Sequence, residues 1–160
     1  MLKNFLKDYS EDRVETFNFI LLTIFTYGVF SLYWLGKINK NYKRHTKNLL
    51  VSEGLIITAG VFAFIEISFI YMALGSGLEG DFAGLQTFDT LSYIGFWGYI
   101  IVNIVIAFHI KNTILHMYIK QKIKFENHPT YNFNILFILL FGVMYVCYKF
   151  NAIHTYNKIR

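Results

Sequence analysis

Apolar residues in this chain are gathered into four long runs, which are separated by polar or charged stretches. Two outer runs occupy residues 17–36 and 131–148, and two central runs occupy residues 54–75 and 91–110. Each run approaches or reaches the length of about 20 residues that a helix needs to cross a bilayer. The pattern therefore predicts an all-α, polytopic helical membrane protein that forms a single integral membrane domain over residues 1–160.

The composition agrees with this prediction and narrows the chemistry. Hydrophobic residues make up 55% of the chain and charged residues only 16%, whereas soluble domains carry roughly 25% charged residues. The single cysteine, Cys147, excludes a disulfide framework. The sequence has no Cys/His cluster with metal-ligand spacing, no nucleophile elbow and no phosphate-binding loop. We therefore expect no metal, no cofactor and no enzymatic activity.

Charge divides the connecting segments into two classes. Residues 76–90 contain no Lys or Arg and hold acidic residues among glycines, whereas the connections at 37–53 and 111–130 are basic. Because cytoplasmic loops carry an excess of Lys and Arg, residues 76–90 are predicted to form an extracytoplasmic loop of a bacterial inner-membrane protein. Residues 1–16 are predicted to lie at the membrane interface, because apolar residues recur there at helical spacing: Leu2, Phe5, Leu6 and Tyr9.

The two central runs are predicted to form an antiparallel transmembrane pair, but the outer runs allow two topologies. Four plain spans put nine of the fifteen basic residues in the cytoplasm, whereas kinked or re-entrant outer runs put all fifteen there. Gly28 and Gly142 are the places where such runs could turn, because glycine adopts backbone conformations that other residues resist. A weak internal repeat with a shift of 114 residues aligns these two glycines. Both topologies remain open at this point.

Glu66 is the only Asp, Glu, Lys or Arg inside any of the four runs. A carboxylate in a membrane span is costly and usually faces other protein or an ion pathway. Small residues share its helical face, namely Ala59, Ala63 and Ala73, so another helix can approach closely there. Its depth suggests Asn103 as a partner, and we treat Glu66 and Asn103 as a candidate intramembrane site. Glu66 is either a neutral structural hydrogen-bonding group or a proton or cation site.

Two surface features border the first run. A basic group is predicted to contact anionic lipid rather than nucleic acid, because it directly follows an apolar run: Lys37, Lys40, Lys43, Arg44 and Lys47. Three aromatic residues are predicted to form an interfacial belt: Tyr33, Trp34 and Tyr42.

The first run also carries a family resemblance. Residues 20–34 read ILLTIFTYGVFSLYW, and a polar, basic helix over 37–47 is predicted to follow. This segment resembles the opening signature of a family of small prokaryotic membrane proteins catalogued as domain of unknown function 4234, and Tyr148, Asn151 and Tyr156 resemble its closing segment. The resemblance implies a multi-pass helical membrane protein and no assigned activity.

Two functions follow from these observations. The favoured one is a non-enzymatic membrane scaffold or accessory subunit, which acts in the lipid bilayer through self-association or a membrane-protein partner. The alternative is a small channel or proton- or cation-coupled transporter that uses Glu66.

Overall fold

The structure, a computed structural model, describes residue 9 and residues 13–120 and 133–159. Its described residues form helices and no strand, so the all-α prediction is confirmed. The predicted N-terminal interfacial residues Leu2, Phe5 and Leu6 lie outside the described residues, as does the end of the basic connection after Lys120. The described part of the chain contains five helices: α1 (Thr16–Phe25), α2 (Val29–Thr46), α3 (Glu53–Glu79), α4 (Phe82–Lys120) and α5 (Ile135–Ile159).

Judged by residue count and composition alone, three helices are long and apolar enough to cross a membrane, although one of them, α5, is interrupted at Gly142. They are α3 in full, Phe82–His116 of α4 and Ile135–Ile153 of α5. Helix α1 is apolar but has only ten residues, which corresponds to about 15 Å. A helix of that length covers half of a bilayer core of about 30 Å.

Helices α3 and α4 pack closely and run in opposite directions. Phe69 stacks on Phe88 with ring centroids 6.2 Å apart, and the backbone of Glu66 lies against Gly95. A methyl group on Gly95 would lie only 2.8 Å from the Cα atom of Glu66. Gly98 lies in the same way against the ring of Phe62. The absence of side chains at the two glycines therefore lets the α3 and α4 backbones approach each other.

The predicted outer loop at 76–90 is much shorter than expected. Only Gly80 and Asp81 lie outside helices there, because α3 continues to Glu79 and α4 begins at Phe82. The carboxylate of Asp81 accepts a hydrogen bond from the backbone N–H of Gly84 over 3.0 Å and so caps α4. Interhelical packing and this cap outweigh the poor helix propensity of the glycines.

The first outer run is divided by a helix ending of the Schellman type. The backbone N–H of Gly28 donates to the carbonyl of Thr23 over 2.8 Å, and that of Tyr27 donates to Ile24 over 3.2 Å. Tyr27 and Gly28 both have positive φ values, 48° and 87°. The chain therefore leaves α1 and enters α2 through a tight turn.

The two limbs on either side of this turn pack against each other. The ring of Phe19 in α1 lies 4.9 Å from that of Trp34 and 5.7 Å from that of Phe30, both in α2. Phe19 and Trp34 stand at similar distances in sequence from the turn, so α1 and α2 form a helical hairpin. We call it the first hairpin.

Helix α5 contains a second reversal at Gly142, whose φ of 47° and ψ of −124° are not helical. The backbone N–H of Asn134 donates to the hydroxyl of Tyr145 over 3.1 Å, and the ring of Phe133 lies 5.9 Å from that of Tyr145. In a continuous helix, Asn134 and Tyr145 would be roughly 16 Å apart. Lys149 Nζ also lies 5.9 Å from the ring centroid of Phe133. Residues 135–141 and 143–159 are thus two limbs of a second hairpin, and neither outer run is a straight helix.

Asn151 ties the bases of the two hairpins together. Its side-chain amide nitrogen donates to the carbonyl oxygen of Val14 over 2.9 Å and to the hydroxyl of Thr16 over 3.0 Å. Its amide oxygen accepts a hydrogen bond from the hydroxyl of Tyr9 over 2.9 Å. Burial raises the pKa of Tyr9, so this hydroxyl keeps the proton that it donates. The N-terminal part of the chain is thereby fixed to the second hairpin.

Two of the three residues that were predicted to form an interfacial aromatic belt are buried instead. Tyr33 is 64% exposed, but Trp34 and Tyr42 are 2% and 3% exposed and lie in the core. The ring of Trp34 packs between Phe19 and Phe150, so the hairpin core takes up an aromatic residue that the sequence pattern assigned to the interface.

Candidate functional site

A cavity of about 450 Å³ lies where the tips of the two hairpins meet the middle of α3 and α4. Its walls come from α1, α2, α3, α4 and both limbs of α5. The lining residues are Thr23, Ile24, Tyr27, Gly28, Ser31, Glu66, Phe96, Tyr99, Ile100, Asn103, Ile104, Leu139, Leu140, Phe141, Gly142, Val143 and Met144.

Four residues singled out in the sequence line this one cavity. They are the two glycines at the hairpin tips, Gly28 and Gly142, and the two polar residues of the central helices, Glu66 and Asn103. Helix α4 lies against both tips: Tyr99 contacts Gly28, and the backbone of Asn103 lies beside Gly142. The turn residues and the polar residues of the central helices are therefore parts of one site.

Glu66 stands at the centre of α3, thirteen residues from each end of the helix. At a rise of about 1.5 Å per residue, this places it about 20 Å from either end. The side chain is 9% exposed, and its carboxyl group has no hydrogen-bond partner among the described residues. A carboxyl group in this position can bind a proton or a positively charged group that enters the cavity.

The expected pairing of Glu66 with Asn103 is wrong in register. Gly95, not Asn103, lies level with Glu66, and Asn103 follows Gly95 by eight residues, or about 12 Å. The expectation assumed that the helices end at the borders of a loop at 76–90, whereas they end at Glu79 and Phe82. The side-chain amide of Asn103 instead donates to the carbonyl oxygen of Tyr99 over 2.9 Å.

A cluster of hydroxyl groups connects α4 to the tip of the first hairpin. Tyr99 Oη lies 2.7 Å from Ser31 Oγ and 3.1 Å from the carbonyl oxygen of Gly28, and Ser31 Oγ lies 2.8 Å from that carbonyl oxygen. The two hydroxyl groups have one proton each for these three contacts. One hydroxyl donates to the carbonyl oxygen of Gly28, and the other donates either to the same carbonyl or to the first hydroxyl. Each oxygen of the cluster is thus satisfied within the cluster.

The turn at the tip is also supported by Thr26. Its hydroxyl donates to the carbonyl oxygen of Leu22 over 2.7 Å and accepts from the backbone N–H of Phe30 over 2.9 Å. These two bonds satisfy a carbonyl and an N–H group near the break between α1 and α2.

Thr23 contributes a second polar group without a partner. Its side chain is 4% exposed, lines the cavity and has no hydrogen-bond partner for Oγ1 within the described chain. A buried hydroxyl without a partner costs about 1 to 3 kcal/mol. A bound molecule that offers a hydrogen-bonding group would recover part of that cost.

Thr23, Ser31 and Tyr99 are site residues that the sequence reasoning missed. Two signals were present: Ser31 follows Gly28 by three residues, and Tyr99 precedes Asn103 by one helical turn. Neither signal shows that α2 and α4 meet, because the contact between Ser31 and Tyr99 depends on how the first hairpin folds.

The cavity contains no basic residue and no metal-binding cluster. Glu66 is the only charged side chain among the lining residues, which include no Lys, Arg or His. Across the described ranges, no three His, Cys, Asp or Glu residues come together as a metal site. The predicted lipid-contact residues lie away from the cavity and are exposed on α2 and at its end: Lys37, Lys40, Lys43, Arg44 and Lys47.

Comparisons with known protein families, with curated proteins and with solved structures found no match. Membership of the family catalogued as domain of unknown function 4234 stays a prediction from residues 20–34.

Proposed function

We propose that this chain is a non-enzymatic integral membrane protein of the bacterial inner membrane that works as a small proton- or cation-coupled transporter. Glu66 is the group that takes up the proton or cation. The observation that carries the proposal is the carboxyl group of Glu66, unpaired within the described chain, in a cavity where two helix breaks meet. Transporters place their binding sites near the bilayer midplane, at discontinuous helices.

The topology that fits this function has α3 and α4 crossing the bilayer and both hairpins entering from the cytoplasmic side. Irregular backbone at membrane depth is tolerated only where it is buried in protein or lines a cavity. Gly28 and Gly142 meet this condition, because both line the cavity. The arrangement also puts all fifteen basic residues in the cytoplasm and the turn at Gly80 and Asp81 outside.

The small residues of α3 are used within the chain and not left for a partner. Ala59 and Ala63, which share the helical face of Glu66, are fully buried within the chain itself. The exposed apolar side chains of α3 recur every three or four residues on the opposite face, as at Ile57, Val61 and Phe64, and this face can be covered by lipid or by a second helix. No specific feature of the described residues favours a protein partner over lipid.

Proton flux in liposomes tests the proposal. Purified protein is reconstituted with a pH-sensitive dye inside, and a pH gradient is imposed with the membrane potential clamped. We expect the wild type to dissipate the gradient and Glu66→Gln to reduce the rate at least tenfold. Glu53→Gln is the matched control, because Glu53 is an exposed glutamate at the start of the same helix.

Two outcomes would contradict the transporter proposal. One is a wild-type rate no higher than that of protein-free liposomes. The other is an unchanged rate in Glu66→Gln protein that unfolds at the same temperature as the wild type.

A further inference from the structure

We propose that the cavity binds an amphiphilic organic cation, a molecule with a single positive charge and an apolar, aromatic body. This inference rests on the proposed function, because it names the class of molecule that enters the same site. It follows from the charge of the cavity, its walls and its opening.

The charge of the cavity selects a cation. Glu66 is the only charged lining residue, and no lining Lys or Arg offsets it. An anion would meet an uncompensated carboxylate in a region of low dielectric constant, where like charges repel strongly. A cation would form an ion pair with Glu66, and a donor group on it could also reach the unpartnered hydroxyl of Thr23.

The oxygen atoms of the cavity do not suit a metal cation. Calcium takes six to eight oxygen ligands, and magnesium takes six in near-octahedral geometry. Ser31, Tyr99 and the carbonyl of Gly28 are already bonded to one another. The other lining side chains with oxygen atoms are Glu66, Thr23, Tyr27 and Asn103, which together offer at most five oxygens. That is too few to replace the hydration shell of a divalent ion.

The walls of the cavity favour a ligand that is largely apolar. The surface is formed mostly by aliphatic and aromatic side chains, including the rings of Tyr27, Phe96 and Phe141. Aromatic rings can attract a bound cation. The volume of about 450 Å³ lies in the range of roughly 300 to 1,000 Å³ typical of small-molecule sites. It exceeds the share of one water molecule, about 30 Å³, by more than tenfold.

The position of the cavity opening favours a ligand that dissolves in the bilayer. Ile24, Tyr27 and Leu140 line the cavity and are each more than half exposed. In the proposed topology, these side chains face the acyl chains, so the cavity opens sideways into the hydrocarbon region. A molecule that reaches it must partition into lipid, and an amphiphilic cation does so while keeping its charge.

Two probes of the same shape and opposite charge test this inference. Tetraphenylphosphonium is a cation, and tetraphenylborate is its anionic counterpart. Their binding to the purified full chain in detergent is measured by equilibrium dialysis. We expect saturable binding of tetraphenylphosphonium at one site per chain, with an affinity at least tenfold higher than that of tetraphenylborate.

Variants locate the binding. Glu66→Gln is expected to weaken tetraphenylphosphonium binding at least tenfold, and Glu53→Gln to leave it unchanged. Ile104→Trp keeps the charge but fills part of the cavity, and it is also expected to weaken binding at least tenfold. Thermal unfolding of each variant shows that it is folded, and a variant that fails to fold is replaced by Glu66→Asn or Ile104→Phe.

Equal binding of the two probes would overturn the inference, because the cavity would then accept any apolar body. Retention of full affinity in folded Glu66→Gln protein would also overturn it. Failure of the inference is distinguishable from failure of the proposed function. Glu66-dependent proton flux without tetraphenylphosphonium binding leaves the transporter proposal standing, whereas loss of both overturns both.

Discussion

The hydroxyl group of Tyr99 lies 3.1 Å from the carbonyl oxygen of Gly28 and donates a hydrogen bond to it. The bond joins the middle of α4 to the tip of the first hairpin. Because Glu66 lies against the same stretch of α4, at Gly95, the position of the hairpin tip and the shape of the cavity around Glu66 are coupled through one helix.

Tyr99→Phe should weaken this connection without removing the aromatic ring. The substitution deletes a hydroxyl that bonds Ser31 and Gly28, so we expect a loss of about 1 to 2 kcal/mol in the free energy of unfolding. Unfolding in detergent, followed by circular dichroism, measures the loss. Tyr93→Phe is the control, because Tyr93 lies on the same helix and is 56% exposed. Equal stability of the two variants would show that the bond makes no net contribution.

Gly28→Ala should reduce the yield of folded protein. The added methyl group would lie 2.8 Å from Cε1 of Tyr99 and still closer to its Cζ and hydroxyl, and the φ of 87° is unfavourable for alanine. Steric conflict and backbone strain therefore act together. Size-exclusion chromatography of the detergent-solubilised protein measures the folded fraction.

The control for Gly28→Ala is Val29→Leu, which enlarges the next residue. Val29 is 49% exposed, so its larger side chain has room and we expect a normal yield. A normal yield for both variants would contradict the close contact between Gly28 and Tyr99.

Gly142→Ala should be destabilising for a different reason. The nearest atoms to an added methyl group are 3.6 Å away, in Asn103, which is an ordinary contact distance. The cost is therefore conformational, because φ 47° with ψ −124° is accessible mainly to glycine. We expect the free energy of unfolding to fall by about 1 to 3 kcal/mol.

Gly75→Ala is the opposite case. Gly75 is helical with open space around it, so the substitution should raise the free energy of unfolding by about 1 kcal/mol. A chemical unfolding curve for each variant shows whether its free energy of unfolding falls or rises.

Cysteine labelling from outside intact cells tests the topology. The native Cys147 is fully buried and should give little background. A membrane-impermeant maleimide should label Gly80→Cys but neither Asn48→Cys nor Lys158→Cys. Labelling of Lys158→Cys from outside would mean that the second hairpin does not return to the cytoplasmic side, and would contradict the proposed arrangement.

Sequence reasoning reached the helical class and four residues of the cavity, but not the way in which they meet. Glu66 stood out because a lone carboxylate in an apolar run is costly, and Gly28 and Gly142 stood out as the glycines available to turn the outer runs. The helix ends at Glu79 and Phe82 could not be predicted, because the glycines around them have low helix propensity and only the packing of α3 on α4 overrides it.

That error shifted the expected register of α4 against α3 by five residues, or about one and a half helical turns. The roles of Thr23 and Tyr99 were also out of reach. Both belong to contacts between elements far apart in sequence, and such contacts leave no periodic pattern in the chain.

The bond between Tyr9 and Asn151 has a consequence for biosynthesis. These residues are separated by 142 positions, and Asn151 also holds Val14 and Thr16 at the base of the first hairpin. The ribosome makes the first hairpin long before it makes Asn151, so in the proposed topology that hairpin enters the membrane before the residue that anchors its base exists. The element that is synthesised first is therefore completed last, and ribosomes stalled before residue 151 should hold a chain whose first hairpin is still open to protease at its base.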